Sequence, residues 1–390
     1  MARAVPNVRD VQLKRQRPPE KNRPKQPGFN VVDASRSVNH VRHGSHCMRP
    51  LPDSWRTSPA SIRGLTPHDP PDTLGQNVQQ NSIEMKSSLS PKELGAAIGV
   101  SESSLKRWAD SGRLHVARTA GGHRRIHLSE AVRFIRESGF SVERPDLIGL
   151  DDLVELEPGA TRADPAEQFF QALIEGQGER VRGLALALYL EGTALAGVID
   201  RMVAPAMRRV GELWQHSPEG IFVEHRASDL CAQALNRIRG LAPAPAGQPH
   251  AIGGAPENDP YVLPSLMAAS VLATEGWSEA NLGAHTPLAV LAQAAADCDA
   301  RIAWLALSVA MPPARLRETV EQMSEALRAH GARSRLVVGG PALAGRTTPA
   351  IDGVYFAGSM AELSAFARGL RAVDPPPSPA PGNPDPEADE

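Results

Sequence analysis

Between Leu89 and Ile126 the chain reads LSPKELGAAIGVSESSLKRWADSGRLHVARTAGGHRRI, and the punctuation of that stretch leaves little choice in how it folds. Ser90-Pro91-Lys92-Glu93 supplies an N-cap, a proline at the first helical position and an acid in the first turn. The helix so started, over 91–98, buries Leu94 and Ile98, which lie one turn apart on the same face. Gly99 then suits the left-handed conformation that ends a helix. Ser101-Glu102-Ser103-Ser104 caps a second helix, whose Leu105 and Trp108 face inward. The spacing predicts two helices joined by a short glycine turn.

The faces this arrangement leaves in solvent are basic. The second helix presents Ser103, Ser104, Lys106 and Arg107 outward. Small polar residues at its N-terminal end can approach base edges, and the basic pair can reach phosphates. A hairpin follows, with Gly121-Gly122 at its tip and Arg118, His123, Arg124 and Arg125 beside it, a wing able to press on a nucleic-acid backbone. The segment 128–137 reads as a closing helix. Residues 86–144 are therefore predicted to be a winged helix-turn-helix head that binds double-stranded DNA. One such unit makes few base contacts, so a dimer on a palindromic operator is expected. The bland alternative is a helical hairpin with a solvated basic face.

Charge supports the division. The formal net charge of −2 over 390 residues splits into +6 for 1–84, +5 for 85–144 and −13 for 145–390. A basic front on an acidic body is expected where one part meets a polyanion and another does something else. Residues 1–84 hold 11 prolines and no helical or strand period, and read as a disordered basic segment. They are either an arm adding DNA affinity or sequence ahead of the true start, Met85. Residues 373–390, with 7 prolines and 5 acids, read as a disordered acidic tail. No apolar run approaches the roughly 20 residues that span a bilayer, and no secretory leader is recognisable. Cys47, Cys231 and Cys298 lie far apart, without metal-ligand spacing, which fits a reducing cytoplasm.

Two further units follow the head. Residues 165–240 carry helical periodicity in four segments, with stripes such as Phe169-Phe170-Leu173-Ile174 and Ile199-Met202-Val203-Met207-Val210, and predict a four-helix bundle. Its unusual feature is Trp214 at the end of the third helix, followed by Glu224-His225 in the first turns of the fourth. After Leu241–Gln248, residues 249–372 alternate short strands and helices, which predicts a flavodoxin-like, Rossmann-like parallel α/β domain. Ligands of such sheets bind at the carboxyl ends of the strands, at the switch between the first and third. The residues expected there are the loop 254–261, Gly283 and Thr286 in LGAHTP, Ser308, and Gly339-Gly340. Thr286-Pro287 reads as a cap and first helical position.

The head closely resembles the MerR-type winged helix-turn-helix, through RWxxxGxL and TxGGHRR. The last two units resemble the cobalamin-binding module, a helical bundle capping the upper face of the corrin and a Rossmann-like domain holding its lower face and nucleotide tail. The residues carrying this are Trp214, Glu224-His225, LGAHTP, Ser308 and Gly339-Gly340. In this order the chain is similar to the CarH/LitR-type light-responsive transcriptional regulators over residues 86–370. That resemblance implies adenosylcobalamin or methylcobalamin as cofactor, a dimer or tetramer controlled by it, and release of DNA in light.

The chain departs from that pattern at the lower ligand. The family's motif places an Asp, a His two residues on and a Gly three after the His; here Asp259, Tyr261 and Pro264 hold those positions. A phenol is a poor neutral donor to cobalt, and the Asp would have oriented the missing imidazole. The residue after the capping Trp is Gln215, where light-sensing members carry a His. Three readings stay open: cobalamin held without a protein lower ligand, with His285 as a possible substitute donor; another ligand; or a vestigial module that only dimerises. The rival function is a corrinoid carrier of a methyltransferase system, which needs the axial His and has no use for residues 90–126. A non-enzymatic DNA-binding sensor is the preferred reading.

Overall fold

Ser90 starts the first helix as a reciprocal capping box: Glu93 N–H donates to Ser90 Oγ at 3.2 Å, and Ser90 N–H to Glu93 Oε2 at 2.7 Å. The structure is a computed structural model that describes residues 87–157, 159–162, 164–214, 219–243 and 247–373. The segments read as disordered, 1–84 and 374–390, lie outside the described residues, whereas Val373 closes the last helix.

The first unit contains β1 (Ser88–Leu89), α1 (Pro91–Ala97), α2 (Glu102–Asp110), β2 (Ala117–Arg118), β3 (Arg124–His127) and α3 (Leu128–Ser138). The strands form an antiparallel sheet in the order β1-β3-β2. Leu89, Leu94, Leu105, Leu114, Ile126 and Phe134 form its core. Trp108 packs on Phe134 and Phe140 with ring centroids 5.3 and 5.6 Å away. Two short 3₁₀ turns, Pro145–Ile148 and Asp151–Leu153, then run against α1 and the bundle, with Ile148 and Leu150 fully buried.

The bundle consists of α4 (Pro165–Glu175), α5 (Gly178–Leu190), a third rod made of α6 (Leu195–Val198), a π-helical turn (Ile199–Val203) and α7 (Ala204–Trp214), and α8 (Glu219–Arg239). Pro205 sits inside the third rod, where its missing N–H and its ring would break a regular helix. The π turn ahead of it, with Ala204 N–H reaching back to Ile199 O, widens the helix just before the ring. Asp152 is held between Arg182 Nε at 2.6 Å and Arg237 Nε at 3.0 Å, tying the 3₁₀ turns to α5 and α8.

The third unit runs β4 (His250–Gly254), α9 (Leu263–Thr274), β5 (Ser278–Asn281), α10 (Leu288–Asp297), β6 (Ile302–Ala306), α11 (Pro313–Ala329), β7 (Arg335–Gly339), β8 (Val354–Ala357) and α12 (Met360–Val373). All five strands are parallel, in the order β5-β4-β6-β7-β8. The first and third strands of the sheet are thus neighbours, and the crevice between their carboxyl ends is the topological switch point. Trp304, Val337 and Ala357 face α9 and α12 and join the apolar core that continues through the bundle into the head. Ile252, Leu305 and Val338 face α10 and α11 in a second core.

The sequence misplaced one cap. Pro287, not Thr286, caps α10, and the helix begins at Leu288. The Thr286 hydroxyl instead donates to Leu282 O at 3.3 Å, closing the loop after β5 rather than starting the helix.

Among the described residues, polar links join the units. Met360 and Ala361 N–H both donate to the Asp200 carboxylate at 2.9 Å, so the bundle caps the start of α12. Arg239, in the last turn of α8, pairs with Glu279 on β5. Arg136 of α3 lies 3.6 Å over the Tyr189 ring on α5 and donates to Thr193 O.

Candidate functional site

The basic face of the head is built at the start of α2 and on the β2–β3 hairpin. Ser101 Oγ lies 2.9 Å from both Ser103 Oγ and Ser104 Oγ and accepts from Ser104 N–H, so the serines pre-order the first turn of the helix. Ser103, Lys106 and Arg107 are exposed and Ser104 half-buried. Lys106 pairs with Glu102 at 2.8 Å, which holds the Glu102 carboxyl below its ordinary range. Arg118, Gly121, Gly122, His123 and Arg125 are exposed, and Gly122 N–H donates to Thr119 O to make the tip of the hairpin.

Arg124 differs from the free wing residue expected of it. Strand alternation puts it on the same face as buried Ile126, and its guanidinium turns to Asp110 on α2 at 2.5 Å. Arg125, on the opposite face, is left open to solvent. Arg124 therefore fastens the hairpin to α2, and Arg125 is the arginine left exposed.

The crevice between β4 and β6 is walled by the loops expected there. Asp259 is buried, 2% exposed, and its Oδ2 accepts from Ser308 N–H at 2.6 Å and Val309 N–H at 3.3 Å; Oδ1 accepts from Tyr261 N–H at 3.3 Å. The aspartate thus staples the loop after β4 to the end of β6, and both oxygens are engaged by main chain. Gly283 N–H is held by Asn281 Oδ1 at 3.1 Å, its carbonyl accepts from Ala255 N–H, and buried Thr286 donates its N–H to Ala255 O. Gly340 takes φ +117°, and a Cβ there would collide with the Leu307 carbonyl, so this glycine lets β7 close on β6. Gly339 lies beside Ala357 O, at the far wall.

Two features mark the crevice as a place for a ligand. Ser308 Oγ is buried and has no hydrogen-bond partner. Around it Tyr261, Val262 and Val309, all on the carboxyl-end loops, are 46, 52 and 38% exposed.

The bundle contributes from above. α8 packs on α9 and its last turn meets β5, and at 21 residues against 12 it is about 13 Å longer. Glu224-His225 lie in the first two turns of α8. There Glu224 is half-buried and accepts from Ser228 Oγ at 3.1 Å, while His225 is exposed with Nε2 3.5 Å from Glu224 Oε2. Phe222 is 65% exposed beside them. Trp214 ends α7 as expected from its sequence position; Gln215 and His216 lie outside the described residues.

The donor set bears directly on cobalamin. An orphaned hydroxyl, main-chain edges and exposed apolar side chains suit a large amphipathic ligand, but residue 261 offers an exposed phenol rather than an imidazole, and both oxygens of Asp259 already accept from main chain. His285 stands in the adjacent loop, exposed, with its N–H donating to Asp259 O at 3.2 Å. Among the described residues no group of three His, Cys, Asp or Glu could hold a metal ion by itself.

Sequence reasoning passed over Trp304. It lies on β6 directly opposite Gly253 of β4, is 2% exposed, and donates Nε1–H to Ser265 Oγ at 3.0 Å. Ser265 Oγ in turn donates to Asn281 Oδ1 at 2.7 Å. A Cβ at Gly253 would fall well inside the indole, so the glycine exists here to seat that ring. The signal was the tryptophan amid small residues in IAWLA, but its partner depends on strand pairing.

Residues 165–239 match the family described as B12 binding domain. Over 250 residues the chain is 27% identical to the HTH-type transcriptional repressor CarA of Myxococcus xanthus, across 62% of this chain and 83% of that protein. Among solved structures it is similar to the monomethylamine corrinoid protein of Methanosarcina barkeri, with 14% identity, a TM-score of 0.39 and coverage of 53% of this chain and 98% of that one. A cobalamin-binding protein from Desulfitobacterium hafniense DCB-2 also matches, at 14% identity, a TM-score of 0.27 and coverage of 52% and 96%. One chain thus carries a stretch matching a B12 binding domain and a likeness to an HTH-type transcriptional repressor.

Proposed function

We propose that this chain is a non-enzymatic, DNA-binding transcriptional regulator whose bundle and α/β domain take up cobalamin at the β4–β6 crevice. The observation that carries the reading is the orphaned, buried Ser308 Oγ amid the exposed apolar residues at the switch point, below a bundle that matches a B12 binding domain. In that site Ser308 would donate its hydroxyl to the ligand. Gly283, Thr286, Gly339 and Gly340 would shape the wall, and Trp214, Glu224 and His225 would close the upper side. Bound there, the cofactor supplies a cobalt–carbon bond that light can break.

The head, read as a winged helix-turn-helix over 86–144, would set α2 into a major groove, with Ser103, Ser104, Lys106 and Arg107 toward the DNA and Arg118, His123 and Arg125 on the backbone. Gly121 and Gly122 would let the hairpin tip approach closely, and Arg124 would hold it in place. The Arg136–Tyr189 stack couples α3 to the bundle, so a change in bundle packing has a direct route to the head. Ligand state would then bias a dimer–tetramer equilibrium and with it the number of heads engaged on a palindromic operator.

The test is visible absorbance of protein purified after growth with cobalamin, in the dark and after green light, with gel-shift of a DNA fragment selected from a random library. Corrin bands, and a mobility shift that responds to cofactor or light, are expected. Absence of corrin bands after reconstitution with excess adenosylcobalamin would refute the sensor.

A further inference from the structure

We propose that the amino end of the sheet carries a second ligand site, for a phosphorylated small molecule. It lies at the opposite end of the strands from the β4–β6 crevice, and it stands whether or not that crevice takes cobalamin.

Residues that precede or begin β6, β7 and β8, together with the last turns of α11, surround a recess of about 650 Å³. That volume suits a small organic ligand. Arg301 precedes β6, Arg333 lies in the loop before β7, Arg335 opens that strand, and Arg328 stands in the last turn of α11. The backbone carrying them is fixed: Arg335 N–H donates to Arg301 O at 2.9 Å, and Ser334 Oγ to Ala300 O at 2.6 Å. Arg328 answers the negative end of its helix, but Arg333 and Arg335 lie beyond it. Asp299 and Asp352 line the recess too, yet among the described residues neither pairs with Arg328, Arg333 or Arg335. Four arginines against two aspartates leave the recess with a formal charge of +2.

Ser324 is the second mark of a ligand. It lines the recess at 9% exposure, and its Oγ is buried without a hydrogen-bond partner. A hydroxyl inside a helix can return to the carbonyl four residues back, as Thr319 does on the same helix, donating to Arg315 O at 2.9 Å. Ser324 makes no such bond. An oxyanion in the recess would accept from this hydroxyl and from the arginines together. Guanidinium forks carried on α11, the β7 loop and two strand starts match a tetrahedral phosphate, whose oxygens accept from several directions. A carboxylate offers two oxygens that one fork covers. Leu327, Leu336 and Leu370 give the recess an apolar wall, and the space exceeds what a bare phosphate fills, so the ligand carries an organic part.

The experiment is isothermal titration calorimetry of the full chain with inorganic phosphate and with phenyl phosphate, at about 150 mM salt, where charges more than about 8 Å apart are screened. One phenyl phosphate per chain is expected, bound more tightly than inorganic phosphate because its ring meets the apolar wall. Arg333→Gln and Arg335→Gln, which alter exposed residues, should each weaken it roughly tenfold, and Ser324→Ala about threefold. Arg317→Gln, exposed on α11 but outside the recess, should leave it unchanged. Absence of binding, equal affinity for the two probes, or an equal loss in Arg317→Gln overturns the proposal. A loss in Arg125→Ala instead would place the phosphate on the head and overturn it as well. So would a fall in the salt dependence of duplex binding in Arg335→Gln, which would make the recess a contact for a nucleic-acid backbone. Corrin uptake is read separately by absorbance, so failure of the sensor and failure of this site are distinct.

Discussion

The two wing arginines should behave differently on DNA, and their difference can be measured without knowing the operator. Arg125 is open to solvent, whereas Arg124 is pinned to Asp110 at 2.5 Å with only 21% of its side chain exposed. Each phosphate neutralised on duplex DNA adds about 0.9 to the slope of log affinity against log salt, whatever the sequence. Arg125→Ala should therefore lower that slope by about 0.9 per bound head, or about 1.8 for two heads. For two heads, the wild-type advantage should shrink about twelvefold between roughly 50 and 200 mM salt. Arg124→Ala removes an ion pair whose aspartate is 61% exposed, a change of about 0.2–1 kcal/mol in stability. It should weaken binding by the same factor at every salt concentration, because it loosens the hairpin without removing a phosphate contact. Fluorescence anisotropy on a labelled duplex of arbitrary sequence, titrated at several salt concentrations, gives both slopes. Equal loss of slope in the two variants would refute the assignment of Arg124 as a fastener, and an unchanged slope in Arg125→Ala would refute the wing itself.

Two other predictions follow from buried groups. Glu279, on the edge strand, is pushed up to about 6 by burial, with Arg239 opposing the shift. A carboxyl whose folded value is raised favours folding fully below its unfolded value near 4.5 and loses that contribution as pH rises through about 6. The stability of wild type relative to Glu279→Gln should thus fall by about 2 kcal/mol from pH 4 to pH 7.5, read by urea denaturation; a flat difference would contradict it. Gly253→Ala should destabilise by about 1–3 kcal/mol, because its methyl enters the Trp304 ring, and Trp304→Leu should recover part of that loss in the double variant. Additive losses would show that the two side chains do not compete for one space.

What the sequence made legible was local. The start of α1, the turn at Gly99 and the cap at Ser101 each involve residues within four positions, and so do the hydrogen bonds that realise them. The alternation of strands and helices after residue 249 likewise carried the parallel sheet, because a βαβ crossover has essentially one hand, and the switch point falls where the chain passes from β5 on one side of β4 to β6 on the other. Thr286 was misplaced because a hydroxyl next to Pro287 can serve a loop as well as a cap, and here it donates to Leu282 O. Arg124 could have been read correctly, since Ile126 must face the core and strand parity then turns Arg124 with it. Trp304 could not, because its meaning depends on standing opposite Gly253 across two strands separated by a helix, a strand and another helix. The same holds for Asp259. Its position suggested a partner for an axial ligand, but the end of β6, some fifty residues away, supplies the N–H groups that occupy it. The substitution of Tyr261 was visible in the sequence, and its consequence was not. A missing donor alone could be replaced by another histidine, and His285 stands exposed on the neighbouring loop with its N–H bound to the Asp259 carbonyl, a contact between two loops that no spacing in the sequence announces.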